Sequence, residues 1–298
     1  MTEVTLMDGS IGQELVKRSG NRATPLWSTR VMIDQPELVG QLHTDYFAVG
    51  ATVATTNTYA VHRSRLERVG LEDQVPALIE TAMAQAEMAR ERYTGGRIAG
   101  SLGPLLASYR PDLNPDVEEA RLKFGELVQL MKPRVDLFLI ETVSSVQEAE
   151  GALAATEGCG KPVWLALTVD DHDGTRLRSG ERLADVKPLI ERYGPEAVLI
   201  NCTRPEVVQD GLEIIKGFGR RFGAYANGFA EVSDEFLKDA PTVDSLEQRT
   251  DLGPSEYADF AMQWVDQGAT IVGGCCEVGP NHIAELARRL TAAGHTIV

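Results

Sequence analysis

The stretch Ile271-Val272-Gly273-Gly274-Cys275-Cys276 is an apolar run that stops at two glycines and hands over two adjacent thiols. Read as a buried strand, it places both thiols at one end of a sheet. Upstream, Ala197-Val198-Leu199-Ile200-Asn201-Cys202 repeats the arrangement with one thiol. Two strands ending in thiols supply three sulfur ligands. That set suits a zinc ion with one position open, because structural zinc sites normally take four protein ligands.

The same grammar, a short apolar run followed by a longer amphipathic segment, recurs about eight times along the chain. The runs are Val4–Met7, Thr52–Thr56, Arg97–Ser101, Leu137–Ile140, Val163–Leu167, Ala197–Asn201, Phe222–Ala226 and the cysteine run. Helices are expected over Pro36–Val49, Leu71–Tyr93, Pro115–Met131, Ala184–Tyr193, Pro254–Gln267 and Pro280–Ala293. Another is expected after Pro205, and Ser144 is expected to cap the helix that buries Val146, Ala149 and Leu153. A polar loop is expected over Asp170–Gly180 and a long acidic one from Asn227-Gly228 to Gly253. Strands buried on both faces read as continuous apolar runs. Eight such units predict an α/β fold, a (β/α)8 TIM barrel in a single domain over residues 1–298. A doubly wound open sheet is the competing architecture, but no Gly-x-Gly-x-x-Gly turn follows the first run.

In such a barrel the residues that follow the strands share one rim, where active sites lie. That rim would carry Asp8, Asn57, Glu141, Thr168, Cys202, Asn227, Cys275 and Cys276. Cys159 precedes a strand and falls on the opposite face, so topology alone sorts the four cysteines three against one. A lone cysteine after a strand is usually a small buried hydrophobe, and neighbouring cysteines can pair with each other. Three on one rim favour a metal, with His62 and His172 on rim loops as candidate fourth ligands. Asp8 before Gly9 can be a turn residue. Glu141, after four large apolar residues, is costly to bury unless it meets a cation. Asn57 and Asn227 can hold the rim backbone or a substrate. Trp27 and Tyr59, in the first two rim loops, are either packing residues or an aromatic wall for a methylated cation.

The chain has 298 residues, 43% hydrophobic, with 44 acidic against 29 basic side chains and a formal charge of −15. That balance argues against nucleic acid and anionic membranes as partners, and for a small or cationic ligand. Four cysteines do not make a disulfide framework, and no apolar run approaches the ~20 residues that span a bilayer. The reading is a cytoplasmic protein with reduced thiols.

These residues resemble the homocysteine S-methyltransferase family, the zinc-dependent (β/α)8 methyltransferases that make methionine. The resemblance is carried by Asp8-Gly9-Ser10-Ile11-Gly12, Leu26-Trp27-Ser28, Thr55-Thr56-Asn57-Thr58-Tyr59, Gly100-Ser101-Leu102-Gly103-Pro104, Glu141-Thr142, Asn201-Cys202 and Gly273-Gly274-Cys275-Cys276. It implies that Cys202, Cys275 and Cys276 bind Zn2+, and that Asp8 and Glu141 hold the amino group of homocysteine. In the betaine-using branch, aromatics matching Trp27 and Tyr59 help to bind the donor. One departure stands out: the family commonly shows Tyr-Pro-Asn after the seventh strand, and here the run is Tyr225-Ala226-Asn227.

The expected partners are a thiol acceptor and a small onium methyl donor such as S-methylmethionine, S-adenosylmethionine or betaine. A selenol such as selenocysteine is the alternative acceptor. A zinc hydrolase with Glu141 as base and a non-enzymatic thiol redox sensor are the rival functions.

Overall fold

The computed structural model describes residues 2–20, 24–93, 95–233, 236–237 and 246–298. Eight parallel strands curl round a common axis: β1 (Glu3–Leu6), β2 (Val53–Thr55), β3 (Arg97–Leu102), β4 (Leu137–Val143), β5 (Val163–Leu167), β6 (Ala197–Asn201), β7 (Arg221–Tyr225) and β8 (Ile271–Val272). Each pairs with the next, β8 returns to β1, and a bridge between Met7 and Val53 closes the ring. This is the expected (β/α)8 barrel.

Two apolar layers follow from the period-two alternation of the strands. Leu137, Leu139, Trp164, Ala166, Leu199 and Ile271 belong to a cluster that fills the barrel. Their neighbours Phe138, Ile140, Leu165, Val198 and Val272 belong to the layer packed under the helices. Glycines permit the closest approach at the cysteine strand. A Cβ on Gly273 would lie 2.6 Å from Met7 Cβ, and one on Gly274 would lie 2.2 Å from Val278 Cγ1.

Several boundaries differ from expectation. β4 runs on through Val143, so Glu141 and Thr142 are strand residues. The expected helix over Leu71–Tyr93 is a 3-10 turn (Glu72–Gln74) and a helix (Val75–Arg90) that starts where Pro76 needs no helical partner for its nitrogen. Ser145, one residue past the expected Ser144, is the N-cap and accepts from Glu148 N at 3.1 Å. Ser144 instead donates its N–H and hydroxyl to Glu148 Oε2. The last helix (Pro280–Ala292) is followed by an unexpected ninth strand, β9 (Thr296–Ile297), laid outside the ring against β1. Part of the acidic loop expected between Gly228 and Gly253 lies outside the described residues. Among the described residues no helix is long and apolar enough to cross a membrane.

His43, fully buried in the helix Pro36–Ala48, finds no hydrogen-bond partner for either ring nitrogen among the described residues. Burial pulls its pKa down from 6.5 to about 4. The folded state therefore takes up this proton less readily than the unfolded chain, and stability is lost as pH falls from 6.5 towards 4. Replacing His43 with Leu should shrink the loss of unfolding free energy between pH 7.5 and pH 5 by about 2 kcal/mol. Urea unfolding at the two pH values measures it.

Candidate metal and substrate site

The alternation that builds the barrel also aims the site. Leu137 and Leu139 point inward, so Glu141 continues that face at the end of β4. Thr55 follows Val53, Ser101 follows Ala99, and Tyr225 itself belongs to the inner cluster. Ser101 Oγ and Tyr225 Oη both donate to Glu141, the latter at 3.1 Å. Asp8, just past β1, accepts from Thr55 N at 2.6 Å and Thr55 Oγ1 at 2.7 Å. Among the described residues neither carboxylate has a basic partner. Burial pushes the pKa of each up to about 7, the hydrogen bonds only partly offsetting it. Two buried carboxylates in this condition are a receptor for a cation.

Cys202 follows β6, and Cys275 and Cys276 follow β8. Backbone hydrogen bonds tie them to the end of β7: Cys202 N to Tyr225 O at 3.3 Å, Cys275 N to Ala226 O at 2.9 Å, and Gly228 N to Cys276 O at 2.8 Å. The three sulfurs all lie within 4.8 Å of one another, as ligands of one ion with zinc–sulfur bonds of ~2.3 Å would. The donor set therefore fits a thiolate-bound metal. Cys202 and Cys275 are joined in a disulfide, with Cα atoms 5.7 Å apart, and Cys276 is free. This corrects the expectation of three reduced thiols. The convergence that suits a metal also brings two sulfurs within bonding reach, and metal binding requires the reduced form.

Backbone strain concentrates here. The five described non-glycine residues with positive φ are Trp27, Tyr109, Thr142, Cys202 and Glu277. Each lines the cavity or adjoins a residue that does. Left-handed conformations of such residues are costly and persist where the surroundings hold them.

The cavity, about 580 Å3, is lined by Asp8, Trp27, Asn57, Tyr59, Glu141 and the three cysteines, among others. Trp27 and Tyr59 meet edge to face at 5.8 Å and form an aromatic corner. Asn57 Nδ2 donates to Ser28 O at 3.3 Å, so its amide braces the first turn of the helix Trp27–Asp34, which carries Trp27. Asn227 does not line the cavity. It accepts from Phe229 N in a local turn. Neither histidine approaches the sulfurs: His62 is buried beside Phe124 with Nε2 on Tyr59 O, and His172 is exposed beside Glu231. Cys159, before β5, lies away from the cluster as expected.

The sequence left several contributors unassigned. Ser101, Thr55 and Tyr225 hold the carboxylates. Gln13 accepts from Trp27 Nε1 at 2.7 Å and donates to Glu277, the residue after Cys276, at 3.0 Å, linking the aromatic corner to the cysteine pair. The strand period could have placed the first three on the inner face, but nothing in the sequence marked Gln13. The departure at Ala226 also has a structural consequence. Its N–H, which a proline would lack, donates to Tyr257 Oη at 3.1 Å, and that hydroxyl donates to Gly273 O at 2.6 Å.

A (β/α)8 barrel with this rim places the chain among the S-methyltransferases. The homocysteine S-methyltransferase family model matches residues 5–290, and the chain belongs to that family. It is 30% identical to a homocysteine S-methyltransferase of Escherichia coli (strain K12), over 96% of this chain and 95% of that protein. The crystal structure of the metallated form of the E. coli homocysteine methyltransferase MmuM superposes with a TM-score of 0.81 at 29% identity, covering 97% of this chain and 96% of the other. A selenocysteine methyltransferase of Astragalus bisulcatus is 26% identical over 95% of this chain and 91% of its own.

Proposed function

We propose that residues 1–298 act as one unit that moves a methyl group from a small onium donor to the thiol of homocysteine, giving methionine. In this reading zinc is held by Cys202, Cys275 and Cys276 in their reduced state. The observation that carries it is the meeting of three sulfurs and two unpaired buried carboxylates in one cavity. A zinc ion bound there would keep an incoming thiol deprotonated and nucleophilic at neutral pH.

The chain's own residues do the rest. Asp8 and Glu141 receive the substrate ammonium, and its charge favours their ionised forms. Trp27 and Tyr59 offer ring faces to the onium methyls. The new bond forms between the acceptor sulfur and the methyl carbon as the bond to the donor's sulfur or nitrogen breaks. The donor leaves neutral with that electron pair, so no general acid is needed. The thiol proton is released to solvent. Holding both partners in one cavity supplies much of the acceleration.

Methyl transfer to a selenol is the second reading, favoured by the likeness to the Astragalus enzyme. The rivals account for less. Three thiolates donate too much charge to acidify water well, which disfavours a hydrolase, and a redox sensor has no use for the carboxylate pair.

Incubating the reduced, zinc-loaded protein with homocysteine or selenocysteine and a panel of S-methylmethionine, S-adenosylmethionine and betaine should yield a methylated product with at least one donor. No product from any pair, or full activity without metal, would refute the proposal.

A further inference from the structure

A buried ion pair stands directly behind the three sulfurs. The side chains of Arg178 and Asp171, both in the loop after β5, are 10% and 7% exposed. They meet in two parallel hydrogen bonds, Nη1 to Oδ2 at 3.1 Å and Nη2 to Oδ1 at 2.7 Å, which fix the guanidinium plane as well as its charge. Asp171 is held in turn by Val232 N at 2.9 Å, in the loop after β7, and by Thr203 Oγ1 at 3.4 Å, in the loop after β6. The Tyr109 ring covers the guanidinium, its centre 4.6 Å from Cζ. Tyr109 lines the cavity; Arg178, Asp171 and Thr168 stand behind its wall.

The remaining hydrogen bonds of Arg178 run to a cysteine. Its Nε donates to Thr168 Oγ1 at 3.0 Å, and Thr168 Oγ1 donates to Cys202 O at 3.1 Å. A threonine hydroxyl has one hydrogen to give. Nε occupies a lone pair of that oxygen and leaves the hydrogen to Cys202 O. Nη2 approaches the same carbonyl at 3.4 Å, a weaker contact. Cys202 is thereby held at both ends, its N–H on Tyr225 O at 3.3 Å and its carbonyl on Thr168. Its φ of 48° is a conformation that a residue with a side chain keeps only where its surroundings impose it. Relaxation towards an ordinary φ would turn the side chain away from the place where its sulfur meets those of Cys275 and Cys276.

We infer that Thr168 and Arg178 are positioning residues for the metal: Arg178, clamped by Asp171, aims the Thr168 hydroxyl at Cys202 O and so presets the third sulfur for zinc. The inference rests on the zinc-dependent reading above and adds to it two residues that act only through a ligand. Partners of this kind are worth about 10- to 100-fold in metal affinity.

The test is the zinc affinity of the reduced, metal-free protein, measured by competition with a chromophoric chelator, alongside urea unfolding of the same samples. Thr168→Val should raise the zinc Kd by about 10- to 100-fold. Thr168→Ser, which keeps the hydroxyl, should leave it close to the wild-type value. Arg178→Met should weaken zinc as Thr168→Val does. If Arg178→Met fails to fold because Asp171 is left buried without its cation, the two Thr168 variants decide the matter. A folded Thr168→Val protein that binds zinc as tightly as the wild type overturns the inference. Equal weakening by Ser and Val, or a loss confined to urea stability, overturns it too. A folded Arg178→Met protein with wild-type affinity removes Arg178 from the assignment. A wild type that takes up no zinc with its thiols reduced sinks the zinc reading itself, and the inference with it. Stoichiometric wild-type binding with indifferent variants sinks the inference alone.

Discussion

Replacing Cys275 with Ser will abolish stoichiometric zinc binding and lower methyl transfer on the order of 10^3-fold, the several kcal/mol a bound metal supplies at a reacting centre. Cys275 sits between the other two sulfurs in function: it follows the same strand as Cys276 and lies within bonding reach of Cys202. A hydroxyl there is protonated at neutral pH and is a poor zinc ligand, which leaves two thiolates. Those two are not ligands by default, since burial pushes the Cys276 thiol up to about 12 and keeps it protonated unless a cation is present. Losing the metal should therefore also lose the nucleophilic state of the acceptor. The fold should survive, because the change lies on the rim and the two main apolar layers keep their residues. Cys159→Ser is the control: a half-buried thiol away from the cluster, it should change neither zinc content nor rate. Metal analysis, circular dichroism and product formation on the same samples decide the matter. A metal-free Cys275→Ser protein with wild-type activity would remove the basis of the proposed chemistry.

What the sequence disclosed, and what it hid, divides along physical lines. Strands buried on both faces must be apolar throughout, so eight runs were visible and the ring followed. Because each strand hands its next residues to the same rim, Cys202, Cys275 and Cys276 could be separated from Cys159 by order alone. Glu141 was visible as a carboxylate at the end of an apolar run. The residues that hold it were not, since the meeting of Ser101 and Tyr225 with Glu141 depends on register between strands far apart in the chain. Gln13 comes from the helix Gly12–Arg18, only seven residues long and too short for a periodic pattern to mark which side chain turns to the site. β9 is two residues long, too short for any pattern to announce. The pairing of Cys202 with Cys275 rather than a vicinal pair is likewise a fact of space, not of spacing.

Glu141→Gln should cost activity and gain stability at the same time. In the folded protein the carboxyl titrates near 7, raised from 4.5 by burial, because its two hydroxyl partners do not replace the water it has lost. A raised carboxylate contributes stability that is complete below the unfolded value and is lost as pH rises through the folded one. The window is therefore pH 4.5 to 7, and above it the wild type carries a penalty of up to about 3 kcal/mol from this group. Gln cannot ionise, so Glu141→Gln should unfold at higher urea than the wild type at pH 8 and close to it at pH 4.5. In catalysis the sign reverses. The substrate ammonium would lose one of its two carboxylates, and removing one member of a buried charge pair costs about 3–5 kcal/mol, or ~10^2- to 10^4-fold in kcat/KM for homocysteine. If the carboxylate were a packing residue, Glu141→Gln would lower stability or leave both quantities alone. Opposite movements of stability and kcat/KM are what a charge kept unpaired for a ligand requires. Lost activity with an unchanged homocysteine KM would assign Glu141 a role other than holding the ammonium.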